Sequence, residues 1–271
     1  MPTASSADAT RIAYETTGSG PALVVVDGAL CHRGFGAMPT LLPELARHFT
    51  VYAYDRRGRG ASEGTAEAIA NAKARKPVEI EREIEDLQAV LDAAGGDPYV
   101  LGISSGAILA MYAVQAGAKP AKLALFEPPL TGADAAAPPD AVARLQQMIA
   151  EDRRGDAVEF FMSLVGVPGF FMLLMKTVMR KGWNGTRASA HTLPYDIALA
   201  ERTAWQVPSD VAASISMPTA VLIGGKSPDK LRKAVTATAA AIPGSESATV
   251  SGMSHMIKPK PFTNTLVQVL A

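Results

Sequence analysis

Tyr99-Val100-Leu101-Gly102-Ile103-Ser104-Ser105-Gly106 is the stretch on which the reading of this chain turns. The apolar run Tyr99-Val100-Leu101 reads as a strand, and Ala107-Ile108-Leu109-Ala110-Met111-Tyr112-Ala113-Val114 as a helix. Between them the pattern Gly-x-Ser-x-Gly must reverse the chain within two residues. The serine then takes strained backbone angles, and the flanking glycines leave room where side chains would collide. Such a turn lifts the Ser104 hydroxyl above the sheet and aims the first amides of the helix at a reacting atom. An ordinary glycine-rich turn is the competing reading; the strand before it and the helix after it weigh against that.

Outward from this turn, short apolar runs alternate with helical patterns, the signature of a largely parallel sheet covered on both faces. Strands are expected at residues 11–16, 22–26, 51–54, 99–103, 123–126, 219–223 and 247–250. Helices are expected at 38–46, 78–94, 105–115, 229–241 and 261–270. The 78–94 segment places Val78, Ile80, Ile84, Leu87, Val90 and Leu91 on one stripe with charges opposite, and reads as a surface crossover helix only. The alternation breaks between Thr131 and Ser209. That segment opens on the loop Thr131-Gly132-Ala133-Asp134-Ala135-Ala136-Ala137-Pro138-Pro139, then turns helical and rich in Met, Phe and Leu. It is expected to be a helical cap at 131–209, inserted after the sixth strand of a core formed by 1–130 and 210–271.

Composition narrows the function. The 271 residues carry 26 Lys plus Arg and 26 Asp plus Glu, so no basic field exists to draw nucleic acid. Nearly half the residues are apolar (48%), enough for a sizeable core. The single Cys31 excludes an internal disulfide and a cysteine-rich metal site, and the four histidines form no ligand-spaced cluster. No metal and no cofactor are expected. The opening Met1-Pro2-Thr3-Ala4-Ser5-Ser6-Ala7-Asp8 has neither a basic nor an apolar region of a secretory leader, so a cytoplasmic location is expected. The uncharged run 160–175 is short for a membrane span and is interrupted by Gly166-Val167-Pro168-Gly169. Two short apolar helices lining a pocket are expected there, with docking on a lipid surface as the alternative.

A serine hydroxyl needs a base within hydrogen-bond reach. Of His32, His48, His191 and His255, the last stands on a loop just past the final strand, at the sheet edge where Ser104 would also lie. His48 ends a helix, His191 falls in the cap, and His32 is too early in the chain to be favoured.

The order of these parts resembles the α/β-hydrolase fold family over essentially the whole chain. Val24-Val25-Val26-Asp27-Gly28-Ala29 is similar to its oxyanion loop, and Tyr54-Asp55-Arg56-Arg57-Gly58-Arg59-Gly60-Ala61-Ser62 to its Asp-x-Arg-Gly-x-Gly-x-Ser turn. Gly102 to Gly106 resembles the nucleophile elbow, and Gly252-Met253-Ser254-His255 the histidine loop. The resemblance implies an oxyanion hole from the amides of Ala29 and Ser105. Asp27-Gly28 stands where the family usually has His-Gly, a change that leaves backbone donors in place. In many relatives the triad acid lies three residues beyond the glycine that ends the seventh strand, which is Ser227 here. Two carboxylates compete instead. Asp229, in Ser-Pro-Asp, is also an ordinary helix start. Glu127, between the sixth strand and Pro128-Pro129, matches members of the family that carry the acid there, among them a branch of the haloalkane dehalogenases, and is favoured. Arg56, Arg57 and Arg59 are expected to tie their turn to acidic partners, and Cys31 to be a buried thiol.

The implied activity is a serine hydrolase cleaving a small apolar carbonyl compound (an ester, thioester or lactone) through Ser104, His255 and Glu127. A carbon–carbon bond hydrolase or acyltransferase with the same triad, or a non-catalytic ligand-binding member of the fold, are the alternatives. Bulky cap residues such as Phe160, Phe161, Phe170, Phe171, Met172, Met175, Trp183, Tyr195 and Trp205 are expected to form cap core and pocket wall.

Overall fold

A computed structural model describes residues 1–132 and 136–271; the central residues Ala133, Asp134 and Ala135 of the expected loop lie outside it. The chain begins with β1 (Thr3–Ser5), β2 (Arg11–Thr17), β3 (Ala22–Val26), α1 (Met38–Leu45) and β4 (Thr50–Tyr54). Next come α2 (Thr65–Lys73), α3 (Glu81–Ala94), β5 (Tyr99–Ile103), α4 (Ser105–Gln115) and β6 (Lys122–Phe126). A helical excursion follows: α5 (Ala141–Ala150), α6 (Arg154–Leu164), α7 (Gly169–Thr177), α8 (Arg180–Ala188), a single tight turn at Ala190–Thr192, α9 (Leu193–Arg202) and α10 (Ser209–Ser214). The sheet resumes with β7 (Thr219–Gly224), α11 (Asp229–Ala241), β8 (Glu246–Val250) and α12 (Pro259–Val269).

The strands form one sheet in the order β1-β2-β4-β3-β5-β6-β7-β8. β1 and β2 join antiparallel, and every pairing from β4 through β8 is parallel. Alternation along each strand sends side chains to opposite faces. Val24, Val26, Val100, Leu123, Leu125 and Val221 join the core beneath α3 and α4. Leu23, Val25, Leu101, Ile103, Phe126 and Leu222 join the one beneath α1 and α12. α4 is buried from Ser105 to Val114, which is why its sequence is apolar all round and not striped. Each of its fully buried large side chains contributes about 1.5–3 kcal/mol, so the element that starts at Ser105 is fixed firmly in place.

Three expectations need correction. β1 and α2 are additions, and α3 starts at Glu81, not residue 78. The α3 helix is more than a solvated crossover, because its Glu83 and Asp86 are buried and meet Arg56 and Arg57. The uncharged run does form two helices joined by a turn, and Glu159, Phe160, Val167, Met172 and Lys176 line a groove between them. Phe161, Met172 and Met175 are buried, but Phe170 is exposed and forms neither cap core nor pocket wall. No helix among the described residues is long and apolar enough to cross a membrane.

Candidate active site

The turn at Ser104 has the geometry its sequence implies. Ser104 sits at φ +54°, ψ −120°, in a region that L-residues rarely occupy and that costs about 1–3 kcal/mol. The glycines beside it are steric necessities. A Cβ on Gly102 would stand 2.6 Å from Ala107 Cα, and one on Gly106 would stand 2.2 Å from the Val26 carbonyl oxygen. The Ser104 N–H donates to the Phe126 carbonyl at 2.8 Å, which ties the turn to the end of β6. Gly28 packs against Ser104 closely enough that a Cβ on it would lie 3.2 Å from Ser104 Cβ, so Ala29 is next to the turn. The Ser105 amide, in the first turn of α4, has no intrahelical acceptor by helix geometry.

Glu127 directly follows β6 at φ +46° and is completely buried. Its Oε1 accepts the Gly224 N–H at 2.7 Å and the Ser227 hydroxyl at 2.5 Å. Its Oε2 accepts the Nδ1–H of His255 at 2.6 Å. Burial works against the charge on Glu127, yet the hydrogen bonds from His255, Ser227 and Gly224 outweigh it and hold the carboxyl below its ordinary range. An ionised Glu127 makes Nδ1 the protonated nitrogen, leaving Nε2 as an acceptor. The imidazole lies flat over Phe126, with centroids 5.9 Å apart and planes 16° apart. Phe126 therefore supports both groups, its carbonyl holding Ser104 and its ring holding His255. The Ser104 hydroxyl and the imidazole do not hydrogen-bond to each other in this structure; they share an edge without being closed onto one another.

Asp229 is not brought in. It opens α11 with its side chain 94% exposed, and its nearest cation is Arg232 at 3.9 Å. Ser227, which the sequence reading passed over because it cannot carry charge, is buried and donates to Glu127. Among the other histidines, His48 is exposed, and His191 is buried with its Nε2 2.7 Å from the Gly58 carbonyl oxygen.

A buried ionic cluster lies behind the turn. Arg56 donates to both carboxylate oxygens of Glu83 at 2.9 and 2.6 Å, to Asp196 at 2.9 Å and to the Asp27 carbonyl at 3.2 Å. Arg59 donates to both Asp196 oxygens at 3.0 and 2.8 Å and to the Gly28 carbonyl at 2.6 Å. The Ser105 hydroxyl donates to Asp196 at 2.7 Å. Burial opposes ionisation of Asp196, but Arg59 and Arg56 prevail and keep its carboxyl below the ordinary range. Arg57 pairs separately with Asp86 and Asp8. The expected acidic partners of the three arginines are thus present, and Asp196 on α9 is the one the sequence gave no sign of.

Asp27 behaves differently. Its Oδ1 accepts the Gly28 N–H at 2.7 Å while its buried Oδ2 has no partner among the described residues. Burial pushes its pKa up to about 6, only partly countered by the Gly28 N–H, Arg59 and Arg56. Cys31, expected to be buried, is half-buried, and desolvation of its thiol pushes it well above its ordinary value.

With this fold and this edge, comparison with known proteins is decisive at the level of family. The sequence profile of the "Alpha/beta hydrolase family" matches residues 26–259, and the chain belongs to that family. It is 42% identical to an alpha/beta hydrolase from Sphaerobacter thermophilus DSM 20745 over 100% of both chains, with a TM-score of 0.87. It also shares its fold with the enol-lactonase from Burkholderia xenovorans LB400 (19% identity, TM-score 0.69, 99% of each chain covered). An esterase from Exiguobacterium antarcticum is similar in the same way (18% identity, TM-score 0.72, 99% of each chain). The protein is a hydrolase.

Proposed function

We propose that this hydrolase cleaves a small apolar carboxylic ester, thioester or lactone through an acyl-enzyme, with Ser104 as nucleophile, His255 as base and Glu127 as the orienting acid. The observation that carries the reading is the 2.6 Å contact from His255 Nδ1 to a buried Glu127, one residue past the carbonyl that holds Ser104. Ser104 Oγ attacks the carbonyl carbon and its proton passes to His255 Nε2. Glu127 holds the tautomer and stabilises the imidazolium, while the amides of Ala29 and Ser105 receive the charge forming on the carbonyl oxygen. Collapse of that intermediate expels the alcohol or thiol, which leaves with the proton from His255. Water then attacks the acyl carbon and gives its proton to His255; the Ser104 Oγ–acyl bond breaks, the proton passes from His255 to Ser104 Oγ, and the acid is released. In this reading 131–209 is a cap over a core of 1–130 and 210–271. Support comes from the cluster in which Leu30, beside the proposed oxyanion loop, packs with Leu145, Val158 and Ile197 of the excursion.

Intact-mass spectrometry after incubation with a fluorophosphonate tests the chemistry. One adduct on the wild type, absent from Ser104→Ala and slowed in His255→Ala, is expected. No adduct on a folded wild type would overturn the mechanism.

A further inference from the structure

The stretch from Phe160 to Tyr195 contains no Asp or Glu and four basic residues, Lys176, Arg180, Lys181 and Arg187, in a chain whose charges balance only as a whole, at 26 basic and 26 acidic residues. Its centre is the α7–α8 pair. α7 turns Met172 and Met175 inward. Residues Phe170, Leu173, Leu174 and Val178 follow the i, i+3, i+4, i+8 spacing of one helical face. That face looks to solvent, with Phe170 74%, Leu173 63% and Val178 73% exposed. Scattered exposed apolar residues need no explanation, but a contiguous stripe of this size marks a contact surface. Arg180 and Lys181, which open α8 directly after the stripe, are exposed, while Arg187 at the other end of α8 is exposed near Gly155 of α6.

The charge pattern selects what covers this face. A second copy meeting it through a two-fold axis would present the same stretch, which has no Asp or Glu to set against Arg180 and Lys181. The acid packed closest, Glu159 on α6, is already paired with Lys176. Asp229 on α11 lies at the far end, where the neighbouring Lys230 donates to the Val165 carbonyl at 3.0 Å. An apolar stripe flanked by cations that have no ion-pair partner among the described residues complements an interface that is apolar inside and anionic at its surface.

We propose that α7 and α8 form a monotopic docking element for an anionic lipid surface. The Phe170-Leu173-Leu174-Val178 face enters the acyl boundary, and Arg180 and Lys181 lie at headgroup level. The Lys230–Val165 contact puts the turn before α7 next to the start of α11, at the carboxyl end of β7. That is the sheet edge bearing Ser104 and Glu127, so docking would turn it toward the membrane. The docking stands apart from the chemistry proposed for Ser104, and its test needs no turnover.

The test is co-sedimentation of the full chain with phosphatidylcholine vesicles, with and without phosphatidylglycerol, at low and high salt. Two surface variants accompany it, Phe170→Ser with Leu173→Ser and Arg180→Gln with Lys181→Gln, each checked for an unchanged melting temperature. The wild type is expected to bind the anionic vesicles at low salt and to be released by high salt. The Arg180/Lys181 pair should weaken binding by about tenfold to thirtyfold, and the Phe170/Leu173 pair should abolish it. A wild type that stays in the supernatant overturns the proposal, as does binding indifferent to phosphatidylglycerol and salt. A dimer in sedimentation velocity that Phe170→Ser with Leu173→Ser converts to monomer overturns it too, by assigning the face to a second copy.

Discussion

Replacing Glu127 with Gln changes one atom's chemistry and leaves the volume alone. In the native site Oε1 is occupied by two donors, the Gly224 N–H and the Ser227 hydroxyl, so the amide oxygen must stay there. The amide NH2 then faces His255 Nδ1 across the 2.6 Å contact and cannot accept its proton. The imidazole is driven to the other tautomer, with Nε2 protonated and no longer a base. A triad with its acid neutralised this way loses about 10⁴ in kcat. We expect kcat to fall by about 10³–10⁴ for a p-nitrophenyl ester with KM little changed, and Asp229→Asn to leave both within about twofold. A stability signature accompanies the loss. The Glu127 carboxyl is held below its ordinary value, so its contribution is complete above the unfolded carboxylate range and is lost as pH falls through the lower folded value. The melting temperatures of wild type and Glu127→Gln should therefore differ at neutral pH and converge in acid. A Glu127→Gln enzyme within about tenfold of wild type, with Asp229→Asn inactive, would refute the assignment of the acid.

Asp27 carries the opposite sign. Its folded pKa of about 6 exceeds the ordinary 3.8, so the folded state loses stability as pH rises from the lower value through the higher. Asp27→Asn should be more stable than wild type by up to about 2–3 kcal/mol at pH 8 and no more stable at pH 4, read from denaturant midpoints. Asp196→Asn removes the shared counter-ion of Arg56 and Arg59, and should cost about 3–5 kcal/mol, lowering the melting temperature by roughly 10 °C. An unchanged melting curve would show that Glu83 and the carbonyls suffice. Cys31, half-buried and with its thiolate disfavoured by desolvation, should react with a thiol reagent at pH 8 more slowly than in denaturant; equal rates in the two states would contradict that.

What was legible in the sequence was local, or announced by steric demand. The turn at Ser104 could be read because a strand, two glycines and a helix leave few conformations between them. Glu127 could be read because a carboxylate between a buried strand and two prolines has few innocent uses. β1 was invisible, since three residues without an apolar run make a strand only by pairing with β2. The apolar stripe of α3 holds from Leu87 through Val90 to Leu91, while Val78 and Ile80 precede the helix. The fate of Glu83 and Asp86 on its shoulders, however, was decided by arginines 27 and 29 residues earlier in the chain. Ser227 carries no charge to announce it, yet its hydroxyl is one of the two donors on Glu127 Oε1. Asp196 had no signal at all, because its partners lie 137, 140 and 91 residues away.

That last separation bears on how the scaffold can be rebuilt. Exchanging the excursion between relatives is an obvious route to new substrate preference, and it treats the segment as interchangeable. Here the excursion supplies the only carboxylate that Arg56, Arg59 and Ser105 share, among the described residues. A chimaera that lacked an acid at the Asp196 position would bury two guanidinium groups short of a counter-ion, directly behind the serine turn. Any successful graft must bring that carboxylate with it, so the donor segment should be chosen for its α9 before its pocket residues.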